Sequence, residues 1–576
     1  MRKFKQTVLW WKLEGISMIV KKSLVLSVGL LLLSSRAYAT SIPSIADPFP
    51  NAGSVYSGLD QTRKWMPQNR KAEVKLEFPQ EKTKINSATI TVKGIAIEGQ
   101  NIFEKETLNE VVKKKMKNKM SLQELDDIAL EVRQFFRRKG YFAAYAYVPE
   151  QKIVDDIIVI KVMPGIYGKI TLDNKTDMRS GRLEDFMKKI QSGSYIQRSA
   201  MDRSLLIMND LPGIKVEATL KPGSKSGEAD AFFVASTLEK QGAAIFIDNY
   251  GNRYTGRNRI GLSYHINNPA KLGDQLSFYF MKSNGELDNY DVRYEIPVGD
   301  YHRAETVMGL SFTKMDYELG APYDQYDSYG NAETWQLYTK TPLKRMLHNN
   351  LYLRTSIEYR QLTDKIDKWL QDTQKASQVI RVGLEGDYRT NKTASTYKFT
   401  QSFGWMHMDS DTAKRYDYYN TEGPFQKSEV SLYHIIRANN RLQIHLSTSA
   451  QYAWSDLDSS EKFYIGGYNA VRAFPQGESG GDSGVLGTIE TRWMLPTQTW
   501  QLAAFIDGGH VMYNKHSSGT DTNSRNLWGW GLGILWNNAK NTSARLDVAF
   551  PLSDNYSQND GGKISRQWWF QLIQRI

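Results

Sequence analysis

From Gln241 to Ile576 the chain alternates apolar and polar residues, segment after segment, with no helical period. Sixteen such segments fall within 336 residues, about 21 residues for each strand and its connection. Successive side chains of a strand point to opposite faces, so a period of two gives each segment one apolar and one polar side. Leu276, Phe278 and Phe280 alternate with Gln275, Ser277 and Tyr279; Ala544, Leu546, Val548 and Phe550 alternate with Arg545, Asp547 and Ala549. One side suits hydrocarbon and the other a polar lumen. About ten residues of tilted strand cross a bilayer, where every backbone group is satisfied only if the sheet closes. The pattern therefore predicts a 16-stranded antiparallel transmembrane β-barrel over residues 241–576. A soluble sandwich or propeller is the alternative, and strands of uniform length, rich in aromatics, count against it.

A mean hydropathy of −0.51 fits such a barrel, because alternation averages out. No run of eighteen apolar residues follows residue 40, which excludes helical membrane spans beyond the N-terminus. Net charge is +12; residues 1–39 hold seven Lys/Arg and one Glu, so the remainder carries +6. That is mild for this length, and basic residues do not cluster with aromatics, so no nucleic-acid partner is expected. Without cysteine, thiolate metal sites, thiol nucleophiles and disulfides are ruled out. The eight scattered His have no ligand spacing, so neither metal nor cofactor is expected.

Upstream, Lys21-Lys22, the apolar run Leu24–Leu33 and the small-residue end Ala37-Tyr38-Ala39 read as a signal peptide over residues 1–39, with Met18 a possible start. Residues 40–84 read as a linker, in which Ala52–Trp65 could form a short helix that plugs a pore downstream. Two modules follow, at 85–165 and 166–240, each with the order β-α-α-β-β. In the first, Ala88–Ile97 is a strand, Lys105–Lys115 a helix, and Ser121-Leu-Gln-Glu124 a capping box for a second helix. Tyr141–Val148 and Ile157–Val162 are strands. The second repeats this with Lys169–Leu172, Arg182–Ile190, Ser199–Asn209, Ile214–Leu220 and Ala229–Thr237. A small sheet covered on one face keeps an open edge that can add a strand from another chain.

Connections within the barrel alternate in length. Asn267–Gly273, Ala438–Asn440 and Pro496–Thr499 are short; Gly320–Gly330, Asp409–Pro424 and Leu457–Ser483 are long. Short turns face the periplasm and long loops the outside. The longest, at 457–483, is the sixth outer loop. It carries Gly466, Gly467, Val471, Arg472, Ala473 and Phe474, a single cation among small and apolar residues. The strand that follows the next turn places Phe505, Asp507 and Gly509 toward the lumen. The strand after it has an apolar stripe of Trp528, Trp530, Leu532, Ile534 and Trp536, with Gly529, Gly531 and Gly533 pointing inward. Three inward glycines weaken a strand, so another backbone is expected against that wall. Loop six folded inward, with Arg472 paired to Asp507, would supply it.

Several of these motifs resemble one family. Arg138–Pro149 and Asn209–Gly223 look like the two POTRA domains of two-partner-secretion transporters, the haemolysin secretion/activation family of the Omp85 superfamily. Val471-Arg-Ala-Phe474 resembles that superfamily's loop-six motif, with Ala473 where a glycine is usual. Phe505-Ile-Asp-Gly-Gly509 resembles its barrel-wall partner, and Asp248–Gly256 with Asn267–Asp274 the first hairpin of the secretion transporters. The final strand ends in Ile576 rather than an aromatic. The resemblance implies a Gram-negative-type outer membrane with POTRA domains in the periplasm, and barrel-assembly machinery as a partner in biogenesis. It implies secretion, without ATP, of a large exoprotein of haemolysin, haemagglutinin or adhesin type whose N-terminal secretion domain is β-helical. An insertase for other outer-membrane proteins is the alternative, and its relatives usually carry more POTRA modules. Gly477-Glu-Ser-Gly-Gly481 matches a hydrolase elbow but lacks the strand before and helix after it, so no catalytic residue is assigned.

Overall fold

The computed structural model describes residues 50–60, 74–76, 89–298, 305–516, 523–538 and 541–576; the signal-peptide reading at 1–39 lies outside them. Sixteen strands close into one antiparallel barrel, from Gln241–Asp248 to Gln567–Arg575. Closure pairs the first strand with the last, Ala244 opposite Arg575 through Asp248 opposite Gln571. A closed sheet leaves no edge, which is what hydrocarbon demands of a strand. No helix among the described residues is long and apolar enough to cross a membrane.

Strand length is not uniform, which corrects the expectation. The first strand has 8 residues, whereas strands six to nine, Ser328–Lys344, Asn349–Ile366, Gln371–Arg389 and Thr393–Met408, have 16 to 19. The outward side chains explain it. Exposed Trp335 and Tyr359 lie opposite each other, and beyond them the pairs become Glu333–Gln361 and Asn331–Thr363. Aromatics mark the membrane boundary and polar residues the sheet that stands above it.

Ahead of the barrel are two small α/β modules. In the first, Gly94–Glu98, Ile157–Met163 and Tyr145–Tyr147 form a sheet in that order, under helices Lys105–Lys113 and Leu122–Arg138. Ser121 caps the second helix in a full capping box with Glu124, and Gly140, at φ +98°, ends it. The long strand expected at Ala88–Ile97 is broken. Thr89–Thr91 turns away to pair with Lys119–Ser121, and only Gly94–Glu98 joins the main sheet.

In the second module, helices Ser180–Met187 and Arg198–Met208 cover the strands Ile166–Lys175, Glu228–Thr237 and Ile214–Pro222. Asp202, buried under this layer, accepts from Arg198 Nε at 2.9 Å; burial pushes its carboxyl up, against the pull of that guanidinium. Val74–Leu76 adds a fourth strand, pairing in parallel with Ala218–Leu220. The chain thus occupies one of its own sheet edges.

This module is seated on the short turns of the barrel. Arg345, buried, forks onto Asp210 at 2.7 and 2.8 Å, Arg203 pairs with Glu305, and Arg182 donates to the Pro297 carbonyl at 2.8 Å.

Candidate functional site

Loop six leaves strand eleven (Leu442–Ala453), folds into the lumen and returns to strand twelve (Ser483–Met494). Its tip is a compact turn. The Val471 amide donates to the Ile465 carbonyl at 2.9 Å, and the Gly466 amide to the Glu478 carbonyl at 2.9 Å. Gly467 sits at φ +125°, which an L side chain rarely adopts. That geometry turns Val471, Ala473 and Phe474 into an apolar cluster with Ile465, Leu486, Phe505, Leu527 and Ala549, all buried.

Arg472 points the other way, into a nest of carboxylates. Its Nε and Nη2 fork onto Asp507 at 2.9 and 2.8 Å. Nη1 reaches Glu490 at 2.7 Å and Asp547 at 3.3 Å. The guanidinium lies 3.3 Å over the Phe505 ring, and Trp569 Nε1 donates to the Arg472 carbonyl at 2.7 Å. Arg545 bridges Glu490 and Asp547 at 2.8 Å each, and Arg492 adds a contact to Glu490 at 2.6 Å. Three cations therefore face three carboxylates, a neutral cluster spread over loop six and strands twelve, thirteen (Trp500–Met512) and fifteen (Thr542–Pro551). Arg472 is 5% exposed, and Asp507 and Asp547 not at all. Every charge here needs its partner, because an unpaired one would be strongly penalised.

The structure brings Arg472 and Asp507 together and sets Phe505 beneath the guanidinium. The inward glycines divide. A Cβ on Gly509 would lie 3.0 Å from Ile465, and one on Gly529 would lie 2.5 Å from the Ala473 methyl, so both admit loop six. Gly531 and Gly533 do not, which corrects the expectation of a backbone along the whole wall. Gly531 makes room for the Phe505 ring, and Gly533 for the Asp547 carboxylate. Packing of the wall's own side chains, rather than a second chain, accounts for these two. The motif reading missed Glu490, Asp547, Arg492 and Arg545. Their one sequence signal is a charge on the polar side of a membrane strand, shared with many lumenal residues. Tyr250 and Tyr468, stacked at 3.7 Å, also gave none.

The remaining lumen holds a short helix. Ala52–Asp60 lies inside the barrel, with Ala52 and Val55 buried against Met281, Met315, Tyr317 and Leu362 of the inner wall. A cavity of about 530 Å³ beside it is lined by Tyr56, Arg293, Arg354, Glu385 and Lys398 among others.

A closed sixteen-stranded barrel with a loop held inside its lumen by an arginine, preceded by two small α/β modules, defines a transmembrane β-barrel of transporter type. Residues 239–535 match the family described as haemolysin secretion/activation protein ShlB/FhaC/HecB, and residues 90–165 match the POTRA domain of ShlB type. The chain belongs to the ShlB/FhaC/HecB family of two-partner-secretion transporters. It is 26% identical over 482 residues to the heme/hemopexin transporter protein HuxB of Haemophilus influenzae, spanning 81% of this chain and 83% of that protein. To the outer membrane transporter CdiB of Dickeya dadantii it is 22% identical, over 75% of this chain and 77% of that one. The solved structure of CdiB from Escherichia coli superposes with a TM-score of 0.67 at 20% identity, covering 87% of this chain and 93% of that one. BamA from Haemophilus ducreyi lacking POTRA domains 1–3 gives a TM-score of 0.53 at 14% identity, covering 84% and 99%. The protein resides in the outer membrane, with its POTRA domains in the periplasm. It is a secretion transporter, and its family members are transporters rather than enzymes.

Proposed function

We propose that the barrel is the route by which one large exoprotein, of haemolysin, haemagglutinin or adhesin type, leaves the cell. The POTRA sheets recognise the exoprotein's N-terminal β-helical secretion domain by adding a strand to an edge. The unfolded chain then passes through the lumen, and its folding outside gives the direction without ATP. One observation carries the reading: what blocks the lumen is the chain's own loop six and helix Ala52–Asp60, segments without strand partners in the wall. The edge at Ala218–Leu220 supports the docking mode, because it already accepts a strand, Val74–Leu76.

Arg472 is the fixed end of loop six in this scheme, and Phe505, Asp507 and Gly509 form its seat. The insertase reading draws on the likeness to BamA, which extends to the fold. Deleting the gene separates the two. Loss of one large exoprotein from the medium, with the outer-membrane profile intact, is expected; a general fall in outer-membrane proteins would overturn the proposal.

A further inference from the structure

Arg472 and Glu478, which accepts from Arg525 and Ser557, pin the tip of loop six to the wall. A separate anchor lies at its base, where the turn Ser459–Glu461 is buried against the opposite wall. Glu461, 2% exposed, meets Arg360 of strand seven at 3.0 Å, Arg381 of strand eight at 3.4 Å and Lys427 of strand ten (Gly423–Arg437) at 2.9 Å. Lys427 Nζ and Gln451 Nε2 also donate to the Glu461 carbonyl, at 3.0 and 2.9 Å. Beside it Asp458 pairs with Lys375 at 2.9 Å.

The short helix rests on this turn. Ser459 Oγ donates to Asn51 Oδ1 at 2.7 Å, and Asn51 Oδ1 accepts from the Ser54 amide at 3.0 Å, capping the helix. A Cβ on Gly53 would lie 2.6 Å from the Ser460 nitrogen and against the Ser459 hydroxyl, so only glycine fits there. Tyr56 lies under the Arg360 guanidinium at 4.3 Å, and that same Arg360 donates to Glu461 and to the Ser460 carbonyl, at 3.0 and 3.3 Å. On its far side the helix amide of Ala52 donates to Asp364 of the barrel wall at 2.7 Å.

We infer that the Ser459–Glu461 turn is the receptor for the helix Ala52–Asp60, and that Glu461 is the latch that holds this receptor in shape. Glu461 is a positioning residue: it acts on the helix through Arg360 and the turn. Glu461 ties together three cations from three strands, two of which, Arg360 and Arg381, also pair with buried Glu358, and Arg360 carries the aromatic contact to Tyr56. Plug occupancy is then governed at the base of loop six and can change while Arg472 stays docked. The turn demands a small residue at position 53 and an aromatic three residues later, on one face of a helix.

The inference rests on reading the barrel as a pore. Purified full-length wild type, Glu461→Gln, Gly53→Val and a chain lacking residues 51–60 are compared by single-channel conductance in planar bilayers. Heat-modifiable mobility checks that each barrel is folded, and amide exchange at Ile465–Phe474 follows the Arg472 end. Gly53→Val lies outside the ion cluster, so it tests the receptor even if Glu461→Gln fails to fold. Both substitutions are expected to raise the open probability at least about tenfold toward that of the deletion, with exchange at Ile465–Phe474 unchanged. A folded variant as closed as wild type, while the deletion is open, overturns the inference. So does opening accompanied by lost protection at Ile465–Phe474, which would make Arg472 part of the same event. A deletion that remains closed would instead refute the pore reading itself.

Discussion

Replacing Arg472 by Gln tests the lock most directly, because the structure sets both sign and scale. The substitution removes one of three cations from a neutral, buried cluster and leaves three carboxylates facing Arg492 and Arg545. Asp507 suffers most. It loses the guanidinium fork and keeps the Thr488 hydroxyl at 2.9 Å among its donors. Breaking a buried pair from one side costs about 3–5 kcal/mol. That corresponds to a shift of roughly two to three and a half decades in the balance between docked and undocked loop. Hydrogen exchange in detergent reads this locally, at the Gly466, Val471 and Phe474 amides that close the tip. Their protection should fall by that factor, while strands six to nine keep theirs and the barrel keeps its heat-modifiable mobility. Asp507→Asn should unbalance the cluster in the opposite sense, and Arg472→Gln/Asp507→Asn, neutral again, should lose less than the two single effects combined. Unchanged protection in Arg472→Gln, or full additivity in the double variant, would refute the account of a charge-balanced lock.

Gly529→Leu should press on the Ala473 methyl and loosen loop six by about 1–3 kcal/mol without touching an ion pair, and exchange at Phe474 reports it. Lys75→Pro should break the parallel pairing opposite Thr219 and free the sheet edge. Binding of the partner's secretion domain to the immobilised chain should then tighten several-fold, and an unchanged affinity argues against edge docking there. Asp202 binds its proton more tightly in the folded module than in an unfolded chain. Its contribution is therefore present below the ordinary aspartate range and lost as pH rises through the raised value. Asp202→Asn should flatten that part of the pH dependence of thermal unfolding followed by near-ultraviolet circular dichroism, and an unchanged profile refutes the assignment.

The barrel was legible because its signal is a period repeated sixteen times, so an error in one segment does not change the reading. Strand length was less so. Alternation continues past the bilayer in strands six to nine, and only the change from Trp335 to Glu333 on one face marks the boundary. Arg472 and Asp507 stand out as lone charges in small or apolar surroundings. Glu490 and Asp547 do not, since their meeting depends on barrel register and on how deep the loop reaches. The inward glycines were visible as a pattern, but their neighbours were not. Glycine spacing reports where a strand makes room, and the occupant is set by side chains such as Phe505 and Asp547 that lie far off in sequence.

The strand Val74–Leu76 is anchored on the periplasmic side, and the helix ending at Asp60 is lodged in the lumen. Thirteen residues, 61–73, join them. Even fully extended, a chain of that length reaches no further than about 45 Å, so the helix stays tethered to the strand at a raised effective concentration. A helix that leaves its seat therefore remains at high local concentration at the pore mouth. Opening is a contest of residence times, and an exported chain must stay in the lumen for its whole passage or the pore reseals behind it. As long as Val74–Leu76 stays paired, that leash makes the closed state the one to which the transporter returns unaided.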